Sequence, residues 1–282
     1  MSALKLSEIQ QLRLIYKEII DGYSFLDPIS AYIKHLSEPD NISILKKRQD
    51  FFNFYVSNGI LPEKEKLEIA YLTEQWTPIK EEEIAALKLR IKDNSKMIES
   101  IIPQQQEFIK KAIEKDKLDL AILLLEREQS LGLTAEELSE KDCFRYLIYF
   151  CFFKDKDCSI PFFNSWEEFE LLSEEEIAKY SQLLESNMVL FSELNIRLIS
   201  VMPFFINAFS YAKENVFFFL NRPIAYLTNH QLLLIACGSR NLNIASQSKG
   251  NPPEPSDNQP VQHILDWYDQ NYSIMLGKRD TR

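Results

Sequence analysis

Glycine, histidine and cysteine are all scarce in this chain, and each scarcity narrows the range of folds and functions. The 282 residues include 6 glycines, 3 histidines and 4 cysteines. So few glycines argue against a turn-rich β-sandwich and against a glycine-based nucleotide-binding fold, because both need backbone positions that favour glycine. The sequence also contains no GxGxxG, Walker or GxSxG pattern, so no motif identifies a reaction.

The histidines and cysteines show none of the spacings that bind metals. The three histidines are far apart in sequence and have no HExxH or ExxH partners, and the cysteines form neither a CxxC pair nor a zinc-ribbon pattern. These residues are His35, His230, His263, Cys143, Cys151, Cys158 and Cys237. We therefore expect reduced cysteines, no catalytic residue, no cofactor and no metal ligand. An enzyme whose site is assembled from dispersed Glu, Arg and Tyr side chains remains a minor alternative.

The charge and the hydropathy of the chain restrict its partners. The formal net charge is −10 and the pI is near 5.0, which opposes general binding to nucleic acid or to anionic lipid. The most apolar long stretch, 188–209, contains Glu193, Asn195 and Arg197, which argues against a membrane span. The N-terminus becomes polar too early for a secretory signal. We expect an intracellular protein.

Helix-start signatures recur along the sequence, whereas almost nothing in it favours strands. A hydroxyl residue followed three residues later by Glu or Gln can form a capping box, and Pro favours the first position of a helix. The signatures are Thr77-Pro78, Thr134 with Glu137, Ser165 with Glu168, Ser173 with Glu176, and Thr228 with Gln231. The fold class predicted from them is all-α, with multi-helix bundles and a long, kinked helical or coiled-coil arm.

Changes in composition divide the chain into four segments. Residues 1–76 predict a bundle of short helices, in which Gly22 and Gly59 end helices and Ile29 to Leu36 forms a short helix. Residues 133–245 predict an aromatic-rich helical domain, whose last helix begins near Asn229 and stops at Gly238. Residues 246–282 predict a flexible linker and a detachable amphipathic C-terminal helix.

The spacing of apolar residues over 77–132 predicts a long helical arm. Apolar side chains recur there at alternating three- and four-residue steps, which is the spacing of a coiled coil, and Gly132 ends the segment. Pro103 must kink a continuous helix. An arm with a bend is the preferred interpretation, and a helical hairpin that reverses near 93–95 or at Pro103 is the alternative. Arg127, which lies beside a very apolar run, is predicted to be partly buried in a structural ion pair.

Neighbouring aromatic residues cannot all point the same way from one helix, so some of these rings must face elsewhere. Packing inside the chain is the simpler interpretation. The other is an apolar contact surface for another subunit. The candidate interface residues are Phe162, Phe163, Phe204, Phe205, Phe217, Phe218, Phe219, Trp267 and Tyr268.

Short segments along most of the chain resemble a family of helical virion or tail-assembly proteins of T-even-like contractile-tailed phages. The segments are 58–63 (NGILPE), 75–77 (QWT), 126–127 (ER), 132–136 (GLTAE), 195–197 (NIR), 221–224 (NRPI) and 227–231 (LTNHQ). Asn221-Arg222 stands where this family leads us to expect a glycine before Pro223. The resemblance implies a structural or assembly role in a baseplate, tail or head, without a cofactor, and it transfers no active-site residue. The expected location is the host cytoplasm, or the virion if the chain comes from a phage.

These observations together predict a non-enzymatic protein that acts through protein–protein contacts. The expected partners are other protein subunits, phage structural proteins among them, or further copies of the same chain. The alternative is a cytoplasmic adaptor or assembly chaperone that binds one client and is absent from the mature assembly. The acidic charge suits a basic client in that case.

Overall fold

The computed structural model describes residues 7–98, 103–256 and 259–279, and it confirms the all-α class. The helices are α1 (Glu8–Asp21), α2 (Glu38–Ser57), α3 (Glu63–Leu72), α4 (Pro78–Ile98), α5 (Pro103–Leu131), α6 (Ala135–Cys151), α7 (Trp166–Glu170), α8 (Glu174–Leu190), α9 (Glu193–Ser200), α10 (Pro203–Tyr211), α11 (Val216–Leu220), α12 (Asn229–Gln247) and α13 (Gln262–Arg279). Three short strands, β1 (Tyr23–Leu26), β2 (Ala31–Lys34) and β3 (Phe152–Phe153), form one antiparallel sheet in the order β1-β2-β3.

The predicted helix starts are confirmed, and local hydrogen bonds explain them. Reciprocal capping boxes join Thr134 to Glu137, Ser173 to Glu176 and Thr228 to Gln231. The Ser165 hydroxyl accepts from the Glu168 amide, and α4 begins at Pro78. Each contact involves residues close in sequence, so tertiary packing is not needed to define these starts.

The chain divides into two compact units. Residues 1–45 and 145–282 form the first unit, and residues 46–144 form the second. Helices α2 and α6 contribute residues to both units. These boundaries differ from the four sequence segments, since the segments 1–76 and 133–245 are each divided between the two units.

The core of the first unit is built from α1, α9, α10, α12 and α13. Its fully buried side chains include Ile19, Ile199, Phe205 and Leu265. Burial of each such side chain stabilises the fold by about 1.5–3 kcal/mol. The C-terminal helix is therefore not a detachable tail. Its apolar stripe, which comprises Ile264, Leu265 and Tyr268, is buried in this core together with Val261, which precedes the helix.

Gly238 does not end a helix as predicted, because α12 continues through it to Gln247. A Cβ at this position would lie 2.7 Å from Cε1 and Cζ of Phe205 and 3.2 Å from Cδ1 of Phe209. The glycine is therefore needed for close packing of α12 against α10. This requirement outweighs its poor helix propensity of about 1 kcal/mol.

Replacing Gly238 by alanine is expected to lower the free energy of unfolding by about 1–2 kcal/mol. With two ring carbons at 2.7 Å, the strain lies in the upper part of the range for an overpacked core, about 2–3 kcal/mol, and the gain in helix propensity offsets about 1 kcal/mol of it. Urea unfolding followed by far-UV circular dichroism measures the change. Asn243→Ala, at an exposed position of the same helix, is the matched control and is expected to stay within about 0.5 kcal/mol. A neutral or stabilising Gly238→Ala would show that the rings move aside at no cost.

The helix predicted over Ile29 to Leu36 is wrong, because this segment forms the end of the turn and the second strand, β2, of a β-hairpin. A 3-10 turn at Asp27–Ile29 and a left-handed Ser30 (φ 51°) reverse the chain, so that Ser24 pairs with Ile33. Burial alternates along β2, with Ala31 and Ile33 in the interior. Pro39 then lies within the first turn of α2, where a proline is tolerated.

In the second unit, α4 and α5 pack against each other as an antiparallel hairpin. Arg90 pairs with Asp116 (2.6 Å), 26 residues later in the chain, and Lys80 pairs with Glu126 (2.8 Å), 46 residues later. Earlier residues of α4 thus pair with later residues of α5, as in an antiparallel hairpin. The preferred interpretation, an extended bent arm, is therefore wrong, and the hairpin alternative is correct. The reversal itself, at residues 99–102, lies outside the described residues. Ile84 and Leu87 are buried, because the apolar stripe that suggested a coiled coil faces the other arm of the hairpin.

The predicted structural ion pair of Arg127 is confirmed. Its side chain is 18% exposed and bonds Glu63 (2.6 Å) and Glu81 (2.5 Å). The indole N–H of Trp76 donates to the same Glu81 oxygen (2.7 Å). This network lies beside the apolar cluster of Ala70, Trp76, Ile84 and Leu131.

Candidate functional site

The predicted interface residues are all in the first unit, but the structure does not bring them to one surface. Phe162 and Phe163 pack with other rings of the chain, and the Phe163 centroid lies 4.8 Å from that of Phe169. Phe163 itself is 6% exposed. Neither ring forms part of an exposed aromatic patch.

Phe204, Phe205 and Phe219 belong to the core cluster of the first unit, and Phe205 is completely buried. Trp267 and Tyr268 also pack there, with Tyr268 2% exposed. Internal packing, the simpler of the two interpretations, therefore accounts for these five rings.

Phe217 and Phe218 are the members of the predicted set that are exposed, at 58% and 72%. They lie in a segment with further exposed large side chains, at Tyr211 (88%), Ile224 (62%) and Tyr226 (68%). We call these five residues the 211–226 surface. The sequence analysis missed Tyr211, Ile224 and Tyr226, because none of them belongs to a run of neighbouring aromatic residues; Tyr211 ends α10, and the other two lie in a 3-10 turn.

The backbone around α11 fixes which rings point outward. After α10, the non-glycine residues Lys213 (φ 54°) and Glu214 (φ 56°) both adopt the left-handed conformation. The Asn215 side chain then accepts from the Phe218 amide (2.9 Å) and caps α11. Phe219 turns inward against Phe209 (5.3 Å between centroids), which leaves Phe217 and Phe218 exposed. Two successive strained residues are the kind of feature that persists where the surrounding structure or a function demands it.

A shallow depression of about 940 Å³ lies beside this surface. Its lining includes Tyr211, Lys213 and Phe218, together with the polar side chains of Asn207, Ser210 and Asn215. Aromatic rings rimmed by polar groups are typical of sites that bind another protein. No group in its lining is arranged for acid–base chemistry.

The second unit has its own exposed apolar stripe. Leu118 (62%), Ile122 (50%) and Leu125 (55%) are spaced four and three residues apart on α5, so they lie on one helix face. We call these three residues the α5 stripe. Exposed leucines and isoleucines are common singly, but an aligned set on one face is typical of a contact surface.

A polar cavity of about 410 Å³ opens beside β1 and β2, and we call it the strand-edge cavity. Its lining comprises Asp21, Gly22, Tyr23, Lys34, His35, Ser37, Asp40, Lys156, Asp157, Cys158, Arg222, Tyr226 and Thr228. Within it, Lys34 pairs with Asp40 (2.7 Å), which also accepts from the Ser37 amide and hydroxyl. Burial alone would raise the pKa of the Asp40 carboxyl, but the bonds from Lys34 and Ser37 outweigh it and hold that pKa below its ordinary value.

A chain of hydrogen bonds leads from the edge of this cavity into the interior. The Ser24 hydroxyl donates to Glu18 Oε2 (2.7 Å), and its oxygen lies 2.9 Å from His35 Nε2. Because the single hydroxyl proton is given to the carboxylate, Nε2–H of His35 must donate to Ser24. Nδ1 is then the unprotonated nitrogen of His35, and it has no partner among the described residues.

Burial and the nearby His230 lower the pKa of His35 to about 3, and burial also lowers the pKa of His230. The two rings lie 5.1 Å apart, between centroids, and His230 stacks on Phe191 at 4.9 Å. The sequence analysis missed this pair, because the two histidines are far apart in sequence.

The Ser24–His35 contact does not form a nucleophilic triad. Ser24 is 1% exposed, and the carboxylate contacts the serine rather than the imidazole. A triad requires a reachable hydroxyl and an acid that orients the base. Cysteine chemistry is equally disfavoured, because burial raises the pKa of Cys151 to about 12 and that of Cys158 to about 11.

Among the described residues, no group of three or more His, Cys, Asp or Glu side chains could hold a metal ion. Within the same residues, no single helix is long and apolar enough to cross a bilayer. The segments Glu174–Ser200 and Pro203–Tyr211 are long and apolar enough only when taken together, and they are bent by 67° at the break between them. Comparison with models of protein families, with curated proteins and with solved structures found no match to this chain.

Proposed function

We propose that this chain is a non-enzymatic structural or assembly protein that binds other protein subunits through the 211–226 surface. The observation that carries the proposal is the exposure of five large apolar or aromatic side chains in one short segment of the first unit. Aromatic residues on a surface are the side chains that most often contribute strongly to protein–protein affinity. The proposed occupant is the apolar face of a helix from a neighbouring subunit.

The α5 stripe supports the same class of function. Because it belongs to the other unit, a second partner, or a second site on the same partner, would bind there. A chain with one apolar contact surface in each unit is suited to linking subunits.

The particle that we propose is a phage tail, baseplate or head. This part of the proposal rests on the sequence resemblance to tail-assembly proteins of contractile-tailed phages. The adaptor or chaperone alternative uses the same surface, and it differs in that the chain would leave before the assembly is mature.

The double substitution Phe217→Ser and Phe218→Ser is expected to prevent the chain from joining its assembly. Loss of two exposed aromatic contacts, each contributing about 2 kcal/mol or more, weakens binding by roughly a thousandfold. The measurement is co-sedimentation of the chain with particles and with assembly intermediates from cells that naturally make it. Leu171→Ser, at another exposed apolar position (87%) of the first unit, is the matched control and should still co-sediment.

The two versions of the proposal give different results in this experiment. A structural protein is present in mature particles, whereas a chaperone is present in intermediates alone. The proposal is wrong if the wild-type chain sediments with neither, or if the double serine variant sediments as the wild type does.

A further inference from the structure

We propose that two copies of this chain associate through α5, with the two helices antiparallel to each other. The contact is the α5 stripe together with Phe108, Lys111 and Lys115, which continue it towards the start of the helix. We call these six residues the outer row of α5. The dimer rests on the proposed function in that the α5 stripe acts as a contact surface, and a second copy is the partner that binds there. The 211–226 surface takes no part in it.

The outer row lies on the face of α5 that α4 does not cover. On the inner face, Ile113 is buried and Asp116 bonds Arg90 of α4. Residues two positions apart lie on nearly opposite sides of an α-helix, so Lys115 and Leu118 lie on the outer face. All six residues of the outer row are exposed.

The spacing of the outer row is that of a helix that packs lengthwise against another helix. From Phe108 to Leu125, its members follow one another at steps that alternate between three and four residues. This is the repeat of a coiled-coil seam, which forms when a second helix covers it. Most of the side chains in the row are large and apolar, whereas the solvated face of a helix is usually polar.

A depression of about 300 Å³ lies beside the outer row and provides space for an apolar side chain of the other copy. Ile122 and Leu123 of α5, with Ala86 and Leu87 of α4, supply its apolar lining. Because Ala86 is small, α4 leaves open the space next to Ile122. In the antiparallel pair, Leu118 of the other copy meets Ile122 and fills this space, as a knob fills a hole in a coiled coil.

The distribution of charge along α5 favours a second copy as the partner. Residues 103–117 contain four lysines and three acidic residues, a net charge of +1, whereas residues 118–131 contain one arginine and three acidic residues, a net charge of −2. Antiparallel pairing places the first half of each helix against the second half of the other, so opposite charges meet twice in one dimer. A surface that complements itself in this way suits a twofold symmetric dimer.

The lysines of the outer row determine the orientation of the two helices. In the antiparallel register described above, Lys111 comes close to Glu128 of the other copy, and Lys115 comes close to Glu126 of that copy. Glu128 is exposed and therefore accessible to the other chain. A parallel pair would instead place each lysine opposite the same lysine of the other copy, and like charges repel.

Sedimentation equilibrium of the purified full chain tests the dimer. Between roughly 1 and 100 μM, where dimers of moderate affinity form, we expect the mass to rise from 33.1 kDa towards twice this value. Ile122→Glu should weaken the dimer by about a hundredfold or more, because the symmetric interface would bury the new carboxylate twice. Ile122 is 50% exposed in the single chain, so this variant is expected to fold. Leu72→Glu makes a similar change outside α5, at a position that is 85% exposed, and should dimerise as the wild type does.

Charge reversal tests the antiparallel orientation. Lys111→Glu should weaken the dimer by about tenfold, because it replaces two attractive contacts with Glu128 by two repulsive ones. Combining Lys111→Glu with Glu128→Lys should restore the wild-type affinity, since opposite charges then meet again with their signs exchanged. A parallel pair would show no such recovery.

The proposed dimer is overturned if the wild type stays at 33.1 kDa throughout this range, or if Ile122→Glu dimerises as strongly as Leu72→Glu. Failure of the second charge reversal to restore affinity overturns the antiparallel pairing. The double serine variant of Phe217 and Phe218 should still dimerise, and loss of its dimer would show that the 211–226 surface forms the contact instead. A monomeric wild type would leave the co-sedimentation test of the 211–226 surface unaffected, so the two proposals fail separately.

Discussion

Trp76→Ala is expected to lower the free energy of unfolding of residues 46–144 by about 3–5 kcal/mol. Trp76 is 1% exposed, and it lies at the centre of the cluster that also contains Ala70, Ile84 and Leu131. Truncation removes its buried ring and leaves a cavity between α3, α4 and α5, and changes of this size are typical of Trp→Ala in a core. A unit of this size has little stability to spare.

Trp76→Phe distinguishes the contribution of the buried ring from that of its hydrogen bond. The phenylalanine keeps much of the apolar volume but loses the N–H that donates to Glu81. Glu81 still accepts from Arg127, so its carboxylate is not left unpaired. We expect a loss of about 1–2 kcal/mol, between the cost of one hydrogen bond and that of a partly filled site.

Urea unfolding followed by far-UV circular dichroism measures both changes. The other two tryptophans, Trp166 and Trp267, belong to the first unit, so their fluorescence in Trp76→Ala reports on that unit alone. Leu72→Ala, at a position that is 85% exposed in the second unit, is the control and should change stability by less than about 0.5 kcal/mol. If Trp76→Ala were no more costly than this control, the indole would not support the hairpin.

The elements that the sequence predicted correctly are those whose hydrogen bonds are local. The capping box of Thr228 closes within four residues, and the helix-ending glycines Gly22, Gly59 and Gly132 all have positive φ. Short-range contacts of this kind leave a sequence pattern because the same few residues supply the donor and the acceptor.

The errors occurred where a distant contact decided the local structure. The segment from Ile29 to Leu36 has apolar residues that fit a short helix, but its β2 strand pairs with Phe152 and Phe153 from far along the chain. Gly238 resembles a helix end, but it lies inside α12, and the proximity of Phe205 is the reason that this position has no side chain. No pattern near either segment encodes these partners.

The candidate sites were even less predictable than the fold. The sequence identified aromatic clusters, yet Phe219 packs inward while Phe218, its neighbour, is exposed, and the cap at Asn215 determines this difference. The strand-edge cavity combines residues from 21–40, 156–158 and 222–228. Single basic residues so widely separated give no signal until the chain is folded.

Acidification is expected to destabilise the first unit through His35. Its pKa is about 3 in the folded chain, against about 6.5 when unfolded, so the unfolded state binds more protons between these values. Stability is therefore complete above about pH 6.5 and decreases as the pH falls towards 3. From pH 7 to about pH 4.5 the expected loss is about 2–3 kcal/mol, and the lowered pKa of His230 adds to it.

His35→Gln is the variant that isolates this contribution, because its amide can still donate to Ser24 but does not titrate. The free energy of unfolding from urea titrations at several pH values should fall less steeply in this variant than in the wild type. Other groups titrate nearby with opposite effects: Asp40, with a lowered pKa, also destabilises in acid, whereas Glu18, whose pKa burial raises, opposes this change. The wild-type and variant slopes must therefore be compared with each other rather than interpreted singly.

Phe191→Leu provides the control for the comparison. It removes the ring that contacts His35 (4.4 Å between centroids) but keeps both imidazoles in the chain. We expect it to lose about 1–2 kcal/mol at every pH, with a slope close to that of the wild type. Equal slopes in the wild type and His35→Gln would mean that the pKa of His35 is the same in the folded chain as in the unfolded chain.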